Sequence, residues 1–326
     1  VDPDIAAAAQ AILSGAPPTV TIAPGGAAPP LAAPATLLFQ GAAAGPVVAT
    51  AQTPVIVLGG GAPATVNAAW TPGQAVISNS SALTLSAQGG STTLLGGDGT
   101  HRVSVDWGNS SITVGDGNDT MAVQGGIHRA ALGGGDNRFT ASWAQATITA
   151  GAGRDSISIQ GGSADINAGD GDNTVIAAGW ASTTIRAGSG NDSIAIQGGT
   201  STVQAAVGLG GGDNTISVTG WATTTIAAGD GRDSIRVEGG VTSISSGGGA
   251  DGIAISGWAS ATVAAGAGDD RLSIAGGTAR VDLGTGDDRL VAADATLQVT
   301  VGGSAGISLS GWGTAQVQAG LGTLTL

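Results

Sequence analysis

Short runs in which apolar and small polar residues alternate fill the chain from about residue 96 onwards, and each run ends at a glycine-rich turn. A typical unit is GAGRDSISIQGG at 151–162, in which Ile157 and Ile159 lie two residues apart. Alternation with a period of two is typical of a β-strand with one buried face. A second run, such as that of Ile148 and Ala150, precedes each acidic turn. The pattern therefore predicts two short strands and two turns in every repeat.

The spacing of the turns identifies the repeat. Each acidic turn can be indexed at its fifth position, and the index positions are His101, Asp119, Asn137, Asp155, Asn173, Asp192, Asn214, Asp233, Asp251, Asp270, Asp288 and Gly306. Successive positions are 18 or 19 residues apart, except for one step of 22. Such a period is typical of a solenoid, whose coils stack to bury a common core. We therefore predict an all-β, right-handed parallel β-solenoid with coils of 18–19 residues.

The composition changes along the chain and predicts three stretches. Residues 1–50 are rich in Ala and Pro, which predicts an N-terminal arm or cap with a short helix at 4–15. Residues 51–95 contain apolar runs without the acidic turn and predict irregular first coils, and residues 96–326 form the regular solenoid. The arm either covers the first coil or docks on a neighbouring subunit, and both alternatives remain open.

The index residues predict a row of oxygen ligands along one edge of the solenoid. Neighbouring strands lie ~4.8 Å apart, and carboxylates at that spacing repel one another unless cations lie between them. Calcium binds carboxylate and backbone carbonyl oxygens, and glycine permits turns that present those carbonyls. The predicted calcium ligands are Asp119, Asn137, Asp155, Asn173, Asp192, Asn214, Asp233, Asp251, Asp270 and Asp288. The alternative is that Asp and Asn only shape tight turns.

These turns resemble the repeats-in-toxin (RTX) nonapeptide, Gly-Gly-x-Gly-x-Asp-x-apolar-x, which forms calcium-binding parallel β-rolls in secreted bacterial proteins. The matching segments are GGDGTHRVS at 96–104, where His101 replaces the Asp, AGAGRDSIS at 150–158, AGSGNDSIA at 187–195, AGDGRDSIR at 228–236 and AGAGDDRLS at 265–273. The resemblance implies Ca²⁺ as the cofactor and a secreted protein, extracellular or at the bacterial cell surface. In that family both turns of a coil usually carry the motif. Here only one turn does, so the resemblance implies a single row of calcium sites.

Tryptophan marks the second turn of alternate coils. The residues are Trp107, Trp143, Trp180, Trp221, Trp258 and Trp312, and coils with a Gly-Gly pair lie between most of them. A column of Trp side chains has three interpretations that remain open. The rings cover the neighbouring Gly-Gly turns, form a lateral interface between molecules, or provide a platform for sugar rings.

Composition excludes several functions. The chain has 326 residues, of which 60 are Gly and none is Cys. It has ten Arg and no Lys, and its formal net charge is −13. An acidic chain without Lys is a poor nucleic-acid binder, and no apolar run approaches the ~20 residues of a membrane span. The segment GGSAG at 302–306 matches the Gly-x-Ser-x-Gly motif, but that motif needs a later His, and both His residues come earlier. We predict no catalytic residue and no enzyme.

The sequence thus predicts a secreted, non-enzymatic structural protein that binds calcium along one solenoid edge. It would self-assemble as a subunit of an extracellular fibre, surface layer or biofilm matrix, so the predicted partner is a second copy of the chain. Two alternatives remain open. One is an extracellular polysaccharide-binding module that uses the Trp column, and the other is a fragment of a larger RTX adhesin.

Overall fold

The computed structural model describes residues 3–22, 26–29, 31, 33–40, 43, 45–59, 61–69, 73–79, 81–179, 182–198, 203–320 and 322–325. Among these residues there is one helix, α1 (Pro3–Ser14). It confirms the helix predicted at 4–15, since an Ala-rich segment with Pro in its first turn favours helix. The rest of the regular structure is β-strand.

The strands are short and follow one another along the whole described chain. They are β1 (Thr19–Ile22), β2 (Thr36–Phe39), β3 (Val47–Ala49), β4 (Val55–Leu58), β5 (Ala64–Ala69), β6 (Gln74–Ser78), β7 (Ala82–Gln88), β8 (Ser91–Gly96), β9 (Thr100–Asp106), β10 (Asn109–Thr113), β11 (Thr120–Gln124), β12 (Ile127–Ala131), β13 (Arg138–Thr149), β14 (Ser156–Asn167), β15 (Thr174–Gly179), β16 (Ser182–Arg186), β17 (Ser193–Gly198), β18 (Val203–Gly208), β19 (Thr215–Thr219), β20 (Ala222–Ala227), β21 (Ser234–Glu238), β22 (Val241–Ser245), β23 (Gly252–Ser256), β24 (Ser260–Ala264), β25 (Arg271–Ala275), β26 (Thr278–Asp282), β27 (Asp287–Ala293), β28 (Thr296–Val301), β29 (Ser304–Ser310), β30 (Thr314–Ala319) and β31 (Leu324–Thr325).

The chain forms two compact units. Unit 1 is Val1–Ile157 with Gly162–Ala164, and unit 2 is Ser158–Gly161 with Asp165–Leu326. Within each unit most strands pair in parallel with the second strand before and the second strand after them. In unit 1 β7 pairs with β9, and in unit 2 β21 pairs with β23. The structure therefore confirms an all-β parallel β-solenoid with coils of about 18 residues.

The apolar positions of the repeat form the core of each unit. In unit 1 Ile148 and Ile157 are buried, and in unit 2 Ile194, Ile216 and Val263 are buried as well. Side chains on the other face of each strand are mostly small and polar, which agrees with the period of two. Burial of one such side chain stabilises the fold by about 1.5–3 kcal/mol, and the stacked coils add these contributions along the solenoid.

The parallel ladder of unit 1 begins inside the Ala/Pro-rich stretch. β1 pairs with β2 from Thr19 opposite Thr36 to Ile22 opposite Phe39, and β2 pairs in turn with β4. Phe39 is fully buried in the core. The stretch predicted as an arm therefore contributes strands to the solenoid, and the predicted boundaries at residues 50 and 95 stay predictions.

Candidate functional site

The index side chains lie inside the solenoid turns. Each precedes or begins a strand of one ladder, for example Asp119 before β11 and Asp270 before β25. All of them from His101 to Asp288 are buried, with 4 % or less of their surface exposed. The series ends at Asp288, because the register of β27 and β29 places Ala305, rather than the predicted Gly306, opposite it.

The index side chains form a series of backbone hydrogen bonds in which a side chain accepts an N–H from the coil before it. In unit 1 the N–H of His101 donates to Oδ1 of Asp119 at 2.7 Å, and the N–H of Asp119 donates to Oδ1 of Asn137 at 3.0 Å. In unit 2 the N–H of Asp251 donates to Oδ1 of Asp270 at 2.8 Å, and that of Asp270 to Oδ1 of Asp288 at 3.0 Å. The same bond recurs at Asp155, Asp192, Asn214, Asp233 and Asp251. The predicted ligand row is therefore a ladder of side-chain oxygens that ties one coil to the next.

The Asn coils satisfy the second polar atom of the side chain with a glycine carbonyl. Nδ2 of Asn137 donates to the carbonyl oxygen of Gly135 at 3.1 Å, and Nδ2 of Asn214 donates to that of Gly212 at 3.0 Å. In both coils the accepting glycine lies two residues before the index position. An amide accepts with its oxygen and donates with its nitrogen, so Asn completes the turn without help from outside the chain.

His101 makes the same pair of bonds as Asn. Its Nδ1 accepts the N–H of Leu83, which lies 18 residues earlier, at 3.3 Å. Its Nε2 lies 2.8 Å from the carbonyl oxygen of Gly97. A neutral imidazole with its proton on Nε2 satisfies both contacts, since one nitrogen then accepts and the other donates. The residue that departs from the RTX motif is therefore a further member of the ladder.

The Asp coils leave one carboxylate oxygen buried without a hydrogen bond. Among the described residues this holds for Oδ2 of Asp119, Asp192, Asp233, Asp251, Asp270 and Asp288. Because Oδ1 accepts the same backbone bond in Asp and Asn coils, the planar carboxylate places Oδ2 where Asn has its Nδ2–H group. An ionised carboxylate has only acceptor atoms, so nothing on it can donate to a glycine carbonyl. A proton or a cation is the chemistry that this position requires.

The electrostatics of the site agree with this geometry. Burial raises the pKa of the Asp119, Asp233 and Asp270 carboxyls from 3.8 to about 6, although the backbone hydrogen bond to each lowers it again in part. Burial likewise raises the pKa values of Asp155, Asp192 and Asp288. Carboxylates nearby add to the rise, and these are Asp213 and Asp251 beside Asp233, and Asp251, Asp269 and Asp288 beside Asp270. The folded chain therefore favours the neutral form of these six carboxyls more than the unfolded chain does.

The residues of the row differ in how well they suit calcium. Asn and His coils do not suit it, because an N–H group already occupies the glycine carbonyl that would serve as a ligand. Asp coils suit it, because a buried carboxylate oxygen without a donor is the ligand that Ca²⁺ prefers. Within the described part of the chain no group of three or more His, Cys, Asp or Glu side chains is placed to hold a metal ion. Backbone carbonyls would have to supply the remaining ligands, and calcium binding stays a prediction.

A second ladder runs along the exposed side of the same turns. The residue before the index position accepts a backbone N–H from the next coil, as in Asn118 from Asp136 and Asp213 from Arg232, both at 2.8 Å. Asp269 accepts the N–H of Asp287 in the same way. Their bonds agree with the alternative interpretation in which Asp and Asn shape the turns.

The Trp side chains lie at the second turn of their coils and point outwards. Trp107 and Trp143 of unit 1, and Trp221, Trp258 and Trp312 of unit 2, are 58 to 97 % exposed. Trp180 lies outside the described residues. The Trp107 ring also covers the next Gly-Gly turn, since a Cβ on Gly125 would lie 2.8 Å from Cε3 of the indole. The Trp107 ring therefore covers a glycine turn. All five exposed Trp rings are also accessible to a partner.

One Ser–His pair escaped sequence analysis. Nδ1 of His128 lies 2.9 Å from Oγ of Ser110, and its Nε2 contacts the carbonyl oxygen of Gly125. Both side chains are buried in unit 1, and burial lowers the pKa of His128. A Ser–His pair can serve as nucleophile and base when a substrate reaches it, but these two atoms lie in the stacked core and join neighbouring coils.

Comparison with known proteins found no match among family models, curated proteins or solved structures. None of the helical segments in the described residues is long and apolar enough to cross a lipid bilayer.

Proposed function

We propose that this chain is a non-enzymatic structural protein that self-associates end to end in an extracellular layer, fibre or matrix, with calcium bound at its Asp turns. The supporting observation is the edge of the last coils of unit 2. Within the described residues β30 pairs with β28 alone, and β31 pairs with β29 alone. The outer N–H and C=O groups of such edge strands readily pair with a strand of another chain.

The apolar core is uncovered at the same edge. Val281, Val299 and Val317 occupy one row of the ladder. Val281 and Val299 are buried, whereas Val317 is only half-buried. Leu309 of β29 is 48 % exposed. A strand laid against β30 would bury Val317 and continue the ladder, which gives a hydrophobic contribution as well as hydrogen bonds.

A second copy of the chain is the partner that fits this edge. In unit 1 the first strands are also paired on one side among the described residues, since β1 pairs with β2 and β3 pairs with β5. None of the four edge strands, β1, β3, β30 and β31, contains a charged residue. Charges on edge strands prevent pairing between molecules, and these strands have none. Addition of β1 and β3 of one copy to β30 and β31 of another would continue both parallel ladders.

The experiment compares two single substitutions in β30. Val317→Asp places a carboxylate on the inward-facing side of the edge, and Gln316→Asp places the same charge on the exposed side of the same strand. The expected result is concentration-dependent chains for the parent protein and for Gln316→Asp, and monomers for Val317→Asp. Sedimentation velocity and negative-stain microscopy measure this. A parent protein that stays monomeric up to millimolar concentration, or chains that persist in Val317→Asp, would refute the proposal.

A polysaccharide-binding module remains the second candidate, because the exposed rings suit stacking on sugars. Trp258 and Trp312 are 83 and 97 % exposed, so either ring is accessible without rearrangement. The substitutions Trp258→Ala and Trp312→Ala would then reduce retention on an immobilised glycan, while Val317→Asp would not. Retention that depends on Val317 and not on the two Trp residues would remove this candidate.

A further inference from the structure

We infer that the coils indexed by Asp233, Asp251, Asp270 and Asp288 need a positive charge from outside the chain, whereas coils indexed by Asn or His complete their turns with their own N–H groups. The charge is that of a divalent cation. Dependence on calcium is then greatest in this segment of unit 2, and Asn in place of Asp stabilises the segment when metal is absent. The inference rests on the proposed binding of cations at the Asp turns and is independent of end-to-end association.

One position of the turn holds three kinds of side chain with one bonding requirement. Asn214 and His101 each accept a backbone N–H from the coil before and donate an N–H to a carbonyl of their own turn. Asp270 accepts the same backbone bond, but its Oδ2 is buried and receives no hydrogen bond. A buried polar atom without a partner destabilises the fold, and an ionised one does so more strongly.

The four coils indexed by Asp233, Asp251, Asp270 and Asp288 follow one another without an Asn coil between them. Each of the three intervals carries the ladder bond, from Asp233 to Asp251, from Asp251 to Asp270 and from Asp270 to Asp288. The charged groups acting on Asp270 are Asp251, Asp288 and Asp269, and all are acidic. Repulsion between neighbouring coils therefore adds to the missing donor. Asp192, by contrast, has Asn173 and Asn214 as its ladder neighbours.

A simple ligand role and the hydrogen-bond ladder predict different effects of Asp270→Asn on the stability of the metal-free segment. If Asp270 were only a metal ligand, Asp270→Asn would weaken the segment with calcium and leave it unchanged without. In the ladder, the new Nδ2 takes the place of Oδ2 and donates as Asn214 does. Because an unpartnered buried group is replaced by a donor of the same shape, the metal-free segment gains stability.

Hydrogen–deuterium exchange of the full chain tests this segment by segment. At pH 7.5 in a chelator, amides of β21 to β27 are expected to exchange faster than those of β13, which directly follows the Asn137 turn. Calcium should slow exchange in β21 to β27 more than in β13. Asp270→Asn should slow exchange of β23, β25 and β27 about 10-fold in the chelator, which corresponds to one satisfied buried group.

A matched control carries the same change of charge at an exposed position. Asp230 lies within the Asp233 turn, three residues before the index position, and is exposed, so Asp230→Asn should leave exchange unchanged. Equal protection in Asp270→Asn and Asp230→Asn would overturn the inference. So would faster exchange in Asp270→Asn in the chelator.

The response to calcium decides the inference independently of association between molecules. Protection of β21 to β27 by calcium at pH 7.5 supports the inference. No protection by calcium overturns it, whatever the chains seen by microscopy.

Discussion

Acidification should stabilise the metal-free protein, in contrast to most proteins that unfold at low pH. The buried carboxyls of Asp119, Asp233 and Asp270 have pKa values raised to about 6 from 3.8. The folded state thus binds protons more tightly than the unfolded state, and stability rises as pH falls from about 6 towards 3.8. The opposite effect of Asp170 and Asp213, whose pKa values are lowered by hydrogen bonds, is confined to pH below about 3.8.

The size of the effect follows from the two pKa values. For one carboxyl with a pKa of about 6 folded and 3.8 unfolded, the free energy of unfolding rises by about 1.3 kcal/mol between pH 7 and pH 5. Asp233 and Asp270 both belong to unit 2, so that unit gains about 2–3 kcal/mol if the two titrate independently. At about 2–4 °C per kcal/mol for a domain of this size, its melting temperature rises by about 4–12 °C.

Thermal unfolding followed by circular dichroism in a chelator at pH 7, 6 and 5 measures this rise. The series stops at pH 5 because the isoelectric point near 4.1 favours precipitation below it. The double variant Asp233→Asn with Asp270→Asn should lose most of the dependence on pH and start from a higher melting temperature at pH 7. A melting temperature that falls or stays constant from pH 7 to pH 5 in the parent protein would refute the reasoning.

Two further pairs of substitutions test the packing of unit 2. Val281→Ala should lower the free energy of unfolding by about 2 kcal/mol, because Val281 is fully buried. Val317→Ala should lower it by less than about 1 kcal/mol, because Val317 is only half-buried. Equal losses of stability in urea unfolding would contradict the uncovered edge. Gly231→Ala should destabilise by at least about 1–3 kcal/mol, since its φ is 134° and a Cβ would overlap a carbonyl of the previous coil. Gly306→Ala, with nothing within 4 Å of its Cβ, should have little effect, and similar melting temperatures for both would refute the steric argument.

The solenoid could be predicted because its signals are local and repeated. Pairs such as Ile157 and Ile159 fix which face is buried, and the period of 18 or 19 residues fixes the register of stacked coils. The strands β1 to β3 were harder to predict. Their segments TVTI, TLLF and VVA are separated by Ala and Pro and lack the acidic turn, so nothing in the sequence connects them with the repeat.

The direction of the index side chains could not be derived from the sequence. Buried and exposed residues alternate with a period of two only within a strand. The alternation is interrupted at the turn, where Gly117 and Gly231 have φ values of 157° and 134°. The sequence did contain one relevant signal, since Asp, Asn and His share the same position. A site for calcium alone has no use for His101, whereas a hydrogen-bonding ladder accepts any side chain with an acceptor at the right distance.

The two turns of the coil differ in how they accommodate a change of length. In the 18-residue coils Trp107 and Trp143 themselves adopt left-handed φ values of 56° and 54°. In the 19-residue coils Gly220 precedes Trp221 and takes a φ of 87° instead. Left-handed geometry costs a non-glycine residue about 1–2 kcal/mol, so the added glycine removes that strain.

The extra residue is therefore inserted at the Trp turn, and the index turn keeps its length. This division follows from the bonds on each side. A change of length at the index turn would separate a side-chain oxygen from the N–H it accepts in the neighbouring coil, as for Asn214 and Asp192 at 2.9 Å. At the Trp turn the ring of Trp258 is 83 % exposed, and its position can change without breaking the ladder. The buried edge thus maintains the register of the coils, and the exposed aromatic edge is the one that can adapt to a partner.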